Sequence, residues 1–251
     1  MFQINQDDGT LKQLGVMNDA ATAVRMFFAF APSGKTLYAV DQKNNLIRTY
    51  TINSLKGTLT PAVTPTIATG TDPHGITVTS TKSGDYVYVT NYNHRTARQG
   101  SISMYKIDSL TNDRLVANIN KDGNNQYYSD GKTFTGLDSI VANGNKNMVY
   151  ALDYARSLLY AIPIQSDGKL GTIANIKNVH DYPSDLKINQ FTGTLYYTPS
   201  GECNLYGDFI RCNSSSPKHL GYYPVNPDGT LVDQIPTPPE TIVNPLGMVI
   251  W

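Results

Sequence analysis

The stretch Tyr223-Pro-Val-Asn-Pro-Asp-Gly-Thr-Leu231 decides the fold, because it is one of five versions of a single phrase. The others are Phe2-Gln-Ile-Asn-Gln-Asp-Asp-Gly-Thr-Leu11, Tyr50-Thr-Ile-Asn-Ser-Leu-Lys-Gly-Thr-Leu59, Tyr105-Lys-Ile-Asp-Ser-Leu-Thr-Asn-Asp-Arg-Leu115 and Ile162-Pro-Ile-Gln-Ser-Asp-Gly-Lys-Leu170. Each reads as an alternating strand, a polar turn that usually holds Gly, and the start of a return strand, which together signal a hairpin. The closing leucines recur at intervals of roughly fifty to sixty residues, a period that predicts propeller blades when it contains only strands and turns.

A second block precedes each phrase. It reads Met26-Phe-Phe-Ala-Phe-Ala-Pro-Ser-Gly-Lys-Thr-Leu-Tyr-Ala-Val40, then Pro73-His-Gly-Ile-Thr-Val-Thr-Ser-Thr-Lys-Ser-Gly-Asp-Tyr-Val-Tyr-Val89. Further copies run over 137–152 and 183–197, and Pro245-Leu-Gly-Met-Val-Ile-Trp251 matches only the first strand. Each block supplies two strands, so a unit has four, named a to d from the axis outward. Stacking such twisted sheets around an axis buries their apolar faces. The expected fold is all-β: one propeller domain with units at 1–22 (partial), 23–71, 72–134, 135–181, 182–243 and 244–251 (partial). Four complete blades with partial ones at both ends fit a fragment of a seven-bladed propeller or an imperfect five-bladed ring, and the fragment is the preferred expectation.

Composition agrees. The 251 residues include 17 Tyr, 20 Gly and 14 Pro, while Glu202 and Glu240 are the only glutamates. Asp suits turns better than helix interiors, and no long 3.6-residue apolar pattern occurs. The formal net charge is zero and no run of Lys or Arg exceeds two, so a nucleic-acid partner is not expected. No apolar stretch is long enough to span a membrane as a helix.

The motifs Asp72-Pro-His-Gly-Ile76, Ser83-Gly-Asp-Tyr-Val-Tyr-Val-Thr-Asn-Tyr92 and Ser101-Ile-Ser-Met-Tyr-Lys-Ile-Asp108 resemble the lactonase-like propeller superfamily. That superfamily includes bacterial 6-phosphogluconolactonases, muconate-cyclising enzymes and noncatalytic surface or periplasmic propellers. The resemblance implies seven blades and says less about activity, since propellers host many functions. It also implies a His with Glu and Arg partners in the channel mouth. Only His74 matches such a position, and no Glu stands near it in the repeat alignment.

In a propeller the starts of strands a and the b–c loops surround one mouth of the channel. The residues at the start of strand a are Met26, His74, Asp138, Ser184 and Leu246. This position varies between blades, as expected of side chains that face an open channel. His74 and Asp138 fall on neighbouring blades, where a neutral imidazole beside a carboxylate would act as a general base. The alternative is that His74 fills the channel or caps a turn. The end of strand b gives Asp41, Asn91 and Asp153, broken by Pro199; these suit backbone bonds that shape the b–c turn. Tyr92 and Tyr154 follow and would line the rim. Arg25, Arg95, Arg98 and Arg156 lie near the same face and would suit an anionic ligand, although surface Arg is also common without one.

Cys203 and Cys212, the only cysteines, bracket an inserted b–c loop. A disulfide there would stabilise the loop by about 2–3 kcal/mol in the chain-entropy model and would imply an oxidising compartment. Two free thiols in a cytosolic protein are the alternative. Zinc is disfavoured because His219 is the only nearby imidazole, and no metal or cofactor is expected. Asn213-Ser-Ser is a chance-prone glycosylation triplet, Asp122-Gly-Asn-Asn reads as a turn, and residues 118–132 read as a long polar d–a connection. Two functions follow as expectations. The first is a non-enzymatic propeller outside the cytoplasm, binding a small anion or another protein at its channel face. The second is a lactone hydrolase or isomerase acting on an anionic sugar acid.

Overall fold

A computed structural model of the chain describes residues 2–4, 10–13, 27–92, 99–117, 127–129, 134–179, 183–199, 202–206, 209–213, 218–219, 221–232 and 241–242. Within them every sheet is antiparallel, and in blades 1 to 3 the strands a to d pair in sequence order. Blade 1 has strands a to d at Phe28–Phe30, Thr36–Asp41, Leu46–Asn53 and Thr58–Ala68. Blade 2 has Pro73–Thr81, Gly84–Asn91, Ser101–Asp108 and Arg114–Ala117. Blade 3 has Leu137–Asn143, Met148–Asp153, Leu158–Pro163 and Asn175–Asn178. Blade 4 shows three strands, Pro183–Ile188, Leu195–Pro199 and Gly221–Tyr223; a bridge between Val225 and Leu231 follows them. The Phe2–Ile4 and Leu11–Gln13 segments pair as a hairpin, as their version of the phrase predicts.

One expectation is corrected in blade 2. Residues 118–132 are not wholly a connection, because Tyr127 and Tyr128 pair with Ser103 and Ile102 on the outer edge of strand c. Strand d therefore resumes there, where its tyrosines supply good strand residues and the free edge of strand c supplies unpaired backbone groups. Residues 118–126, with Asp122, lie outside the described residues.

The blades adhere through alternating side chains. Tyr38, Val40 and Ile47 of blade 1 belong to the same buried cluster as Val87, Val89 and Tyr105 of blade 2. The next seam joins Tyr88, Ile102 and Met104 to Val149, Ala151 and Tyr160, and the third joins Tyr150, Leu152 and Leu159 to Leu186, Leu195 and Tyr197. Each large side chain so buried is worth about 1.5–3 kcal/mol.

A polar latch crosses every one of these seams. Three residues before the end of strand b stands Tyr38, Tyr88 or Tyr150, and its hydroxyl donates to a carbonyl in the c–d turn of the following blade. The acceptors are Asp113 O at 2.7 Å, Gly168 O at 2.7 Å and Gly229 O at 2.8 Å. All three acceptor residues are left-handed, with φ of 58°, 79° and 88°. Burial pushes each of these phenols up, so the hydroxyl remains a donor.

The turn residue is matched to the side chain two places before the tyrosine. A Cβ on Gly168 would lie 2.0 Å from the Tyr86 ring, and one on Gly229 would lie 2.4 Å from Met148. Blade 1 has the smaller Thr36 there, which leaves room for Asp113. The Asp113 carboxylate accepts from Ser33 Oγ at 2.5 Å and Thr36 Oγ1 at 3.0 Å, which offsets its backbone strain.

Phe28 and Phe30 of blade 1 are 60% and 55% exposed, whereas Ile140 and Leu186, at the position of Phe28 in later blades, are buried. Tyr196 holds the latch position of blade 4, and its hydroxyl has no hydrogen-bond partner among the described residues.

The latch makes a graded prediction for urea unfolding. Tyr150→Phe strands a buried carbonyl and is expected to cost about 1–2 kcal/mol. Gly168→Ala meets both a positive φ and the Tyr86 ring and is expected to cost about 3 kcal/mol. Tyr196→Phe is expected to change stability by less than about 0.5 kcal/mol. Equal losses for Tyr150→Phe and Tyr196→Phe would contradict the latch.

Candidate functional site

Strands a of blades 2 to 4 share one irregularity. Pairing with strand b shifts register between Pro73 and Ile76, between Leu137 and Ser139, and between Pro183 and Asp185. A bulge re-aims side chains locally. It falls at His74, Asp138 and Ser184, the same variable positions that the repeats align.

The adjoining strands a of blades 2 and 3 also come unusually close. A Cβ on Gly75 would lie 2.9 Å from the Asp138 carbonyl oxygen and 3.0 Å from Ile140 N, so only glycine fits the motif at that point. Thr90, fully buried, secures the approach: its hydroxyl accepts from Gly75 N at 2.8 Å and lies 3.2 Å from Asp138 O, to which it donates.

His74 and Asp138 therefore meet across the seam, with His74 Nδ1 2.5 Å from Asp138 Oδ1. Around the other ring nitrogen, Nε2, stand Gln42 Nε2 at 2.6 Å and Asp72 Oδ1 at 3.6 Å. Gln42 Nε2 also donates to Asp72 Oδ1 at 2.6 Å. The imidazole lies between two aromatic rings. Tyr92 stacks on it with centroids 4.9 Å apart and planes 18° apart, and Phe27 lies 6.2 Å away at 21°. His74 is only 8% exposed.

Burial alone would push the His74 pKa down. Hydrogen bonds and charge from Asp138 and Asp72 outweigh burial and raise it to about 9. The direction of the shift favours an imidazolium at neutral pH, flanked by two carboxylates and aromatic faces suited to a cation. A ring so charged has no lone pair to accept a proton, so it would serve as a donor where the sequence reading expects a neutral imidazole base. Two N–H groups do not face each other at 2.6 Å, so the charged state requires the Gln42 amide to present Oε1 or turn aside. An amide that presents Nε2 to the ring suits the neutral form instead. The two carboxylates favour the charged form.

The other candidates go elsewhere. Ser184 Oγ lies 3.2 Å from Thr198 Oγ1 within its own blade. Asn91 donates from Nδ2 to Ser101 Oγ at 3.0 Å and Ser103 Oγ at 2.9 Å, and its buried Oδ1 has no partner among the described residues. Asp153 is wholly buried and accepts from Thr135 N at 2.9 Å and Arg156 N at 3.1 Å; burial pushes its carboxyl up. Asp41 makes the corresponding turn contact with Asn44 N at 3.1 Å and also accepts from Arg48 Nε at 2.8 Å. Burial raises its pKa, but the bonds from Asn44 and Arg48 outweigh that and lower it. Tyr154 is half-buried, and its backbone N donates to Gly136 O. Arg156 is exposed, and Arg25, Arg95 and Arg98 lie outside the described residues.

Three residues of the cluster escape the repeat alignment. Asp72 precedes the Pro-His-Gly motif in a left-handed conformation, φ 57°. Gln42 occupies in blade 1 the place after strand b that Tyr92 and Tyr154 occupy in later blades. Phe27 comes from the start of blade 1.

The charged His74 contributes to folding with a definite sign. Its folded pKa lies above the ordinary 6.5, so its contribution is complete below pH about 6.5 and disappears as pH rises through about 9. The difference in Tm between the wild-type protein and His74→Gln is expected to be largest at pH 6 and smallest at pH 9.5, by differential scanning calorimetry. A difference independent of pH would contradict the charged assignment.

The similarities to known proteins fit this architecture. Residues 1–128 match the family model "Lactonase, 7-bladed beta-propeller". A candidate 6-phosphogluconolactonase from Bacteroides fragilis superposes with a TM-score of 0.64 at 16% identity, covering 98% of this chain and 65% of that one. A candidate 6-phosphogluconolactonase from Bacteroides uniformis gives 0.62 at 14%, covering 100% and 80%. The periplasmic gluconolactonase of Pseudomonas aeruginosa gives 0.57 at 15%, covering 92% and 76%. The chain thus spans less than two thirds of the Bacteroides fragilis protein. No curated protein matches the chain. With half of its length matched by the family model, and with sheets that follow the repeat, the chain belongs to the lactonase family of seven-bladed β-propellers.

Proposed function

We propose that the protein hydrolyses a sugar-acid lactone at the seam between blades 2 and 3. The observation that carries this reading is the 2.5 Å pairing of His74 Nδ1 with Asp138 Oδ1, with Asp72 3.6 Å from the other ring nitrogen. The family match and the lactonase descriptions of the structural neighbours support lactone chemistry over the binding-only alternative.

Opening a lactone requires a proton removed from water and a proton given to the ring oxygen. In this reading the Asp72 carboxylate takes the proton from water as its oxygen attacks the carbonyl carbon. His74 Nε2–H gives its proton to the ring oxygen as the carbon–oxygen bond breaks, leaving a carboxylic acid and a free hydroxyl. Asp138 holds Nδ1, and Tyr92 offers an aromatic face to the charged ring. Positioned acid–base groups of this kind contribute about 10²–10⁴-fold.

Charge refines the substrate. One imidazolium and two carboxylates leave the described cluster with a net negative charge, which opposes a phosphorylated lactone. An uncharged aldonolactone fits better than the anionic ligand expected from the arginines.

The test is hydrolysis of glucono-δ-lactone at pH 7, corrected for spontaneous opening. The wild-type protein is expected to accelerate it, and His74→Ala to lower kcat/KM by about 10²–10⁴-fold while circular dichroism stays unchanged. A rate equal to the spontaneous one, with saturable lactone binding, would overturn hydrolysis and favour the binding-only function.

A further inference from the structure

The insertion between strands b and c of blade 4 forms its own hairpin. Glu202–Tyr206 pairs antiparallel with Phe209–Asn213, and Cys203 stands directly opposite Cys212. Sequence spacing alone leaves the facing of two cysteines nine residues apart undetermined. The register removes that freedom, because a slip of one residue would send the two side chains to opposite faces.

We propose that Cys203 and Cys212 form a cross-strand disulfide that staples this hairpin. The register closes on Tyr206 opposite Phe209, with two residues between them in the sequence. In a hairpin closed by such a pair the innermost residues exchange the inner backbone hydrogen bonds. Bonded and non-bonded pairs then alternate outward, which makes Cys203 and Cys212 a non-bonded pair. Opposed residues at such positions have Cα atoms about 4.5 Å apart, within the span that a disulfide bridges.

Formation follows thiol–disulfide exchange with a protein or small-molecule disulfide as oxidant. One thiolate attacks the donor disulfide and releases one donor thiol. The second cysteine then displaces the other, so the pair loses two electrons and two protons and the donor gains them. The chain leaves strand b at Pro199, which pairs with Pro183 beside Ser184, so the staple follows directly from the channel end of blade 4. A permanent bond of this kind suits an oxidising compartment outside the cytosol.

The experiment uses the full chain, purified without reductant and equilibrated with a mixture of reduced and oxidised glutathione. Denaturation with N-ethylmaleimide and intact mass measurement are expected to show no alkylated thiol, and two after reduction. Trypsin cleavage after Arg211, inside the closed loop, is expected to be about tenfold slower in the oxidised protein. Two alkylated thiols without reduction, a glutathione adduct on either cysteine, or a disulfide-linked dimer on a non-reducing gel would overturn the proposal.

Discussion

The architecture depends on the hydrogen bond that a strand-b tyrosine makes to a left-handed carbonyl one blade away. Apolar burial is non-directional and would tolerate neighbouring sheets sliding against each other. A buried phenol that must find an acceptor does not tolerate it, because leaving the hydroxyl or carbonyl unpaired costs free energy that burial cannot recover. Tyr38, Tyr88 and Tyr150 thereby fix successive blades in register. The fit of Gly168 beneath Tyr86, Gly229 beside Met148 and Asp113 above Thr36 shows that each seam is matched separately.

That registration has a consequence at the axis. With blades 2 and 3 held together, strand a of one approaches strand a of the other closely enough that Gly75 has no room for a side chain. The bulges at His74 and Asp138 then face across the seam, and two side chains distant in sequence become a 2.5 Å pair. The same closeness desolvates the imidazole, which alone would neutralise it. Two carboxylates reverse the outcome, so the site is cationic at its centre and negative in sum. In the proposed reaction it serves as a proton donor with a neighbouring carboxylate acceptor, where sequence spacing suggests a histidine base.

The repeat made the blades legible, because hairpin turns, alternating strands and the fifty-residue period all follow from local patterning. His74 and Asp138 were visible for the opposite reason: they break the repeat. Gln42 and Asp72 were hidden because a propeller site is assembled from several blades, and alignment of equivalent positions compares residues that do not touch. The protonation state was hidden as well, since it follows from counting the carboxylates around one buried ring. Tyr127 and Tyr128 illustrate a further limit. The polar excursion before them reads as the end of strand d, but the open edge of strand c recovers the strand beyond it. Asp41 and Asp153 followed their local chemistry and shape b–c turns.

The measurement closest to the central claim is a ¹⁵N NMR titration of the His74 ring, assigned by comparison with His74→Gln. A charged imidazole clamped between Asp138 and Asp72 should keep both ring nitrogens protonated through neutral pH and titrate near pH 9. A ring that loses its proton near pH 6.5, with Nε2 free to accept, would contradict the account.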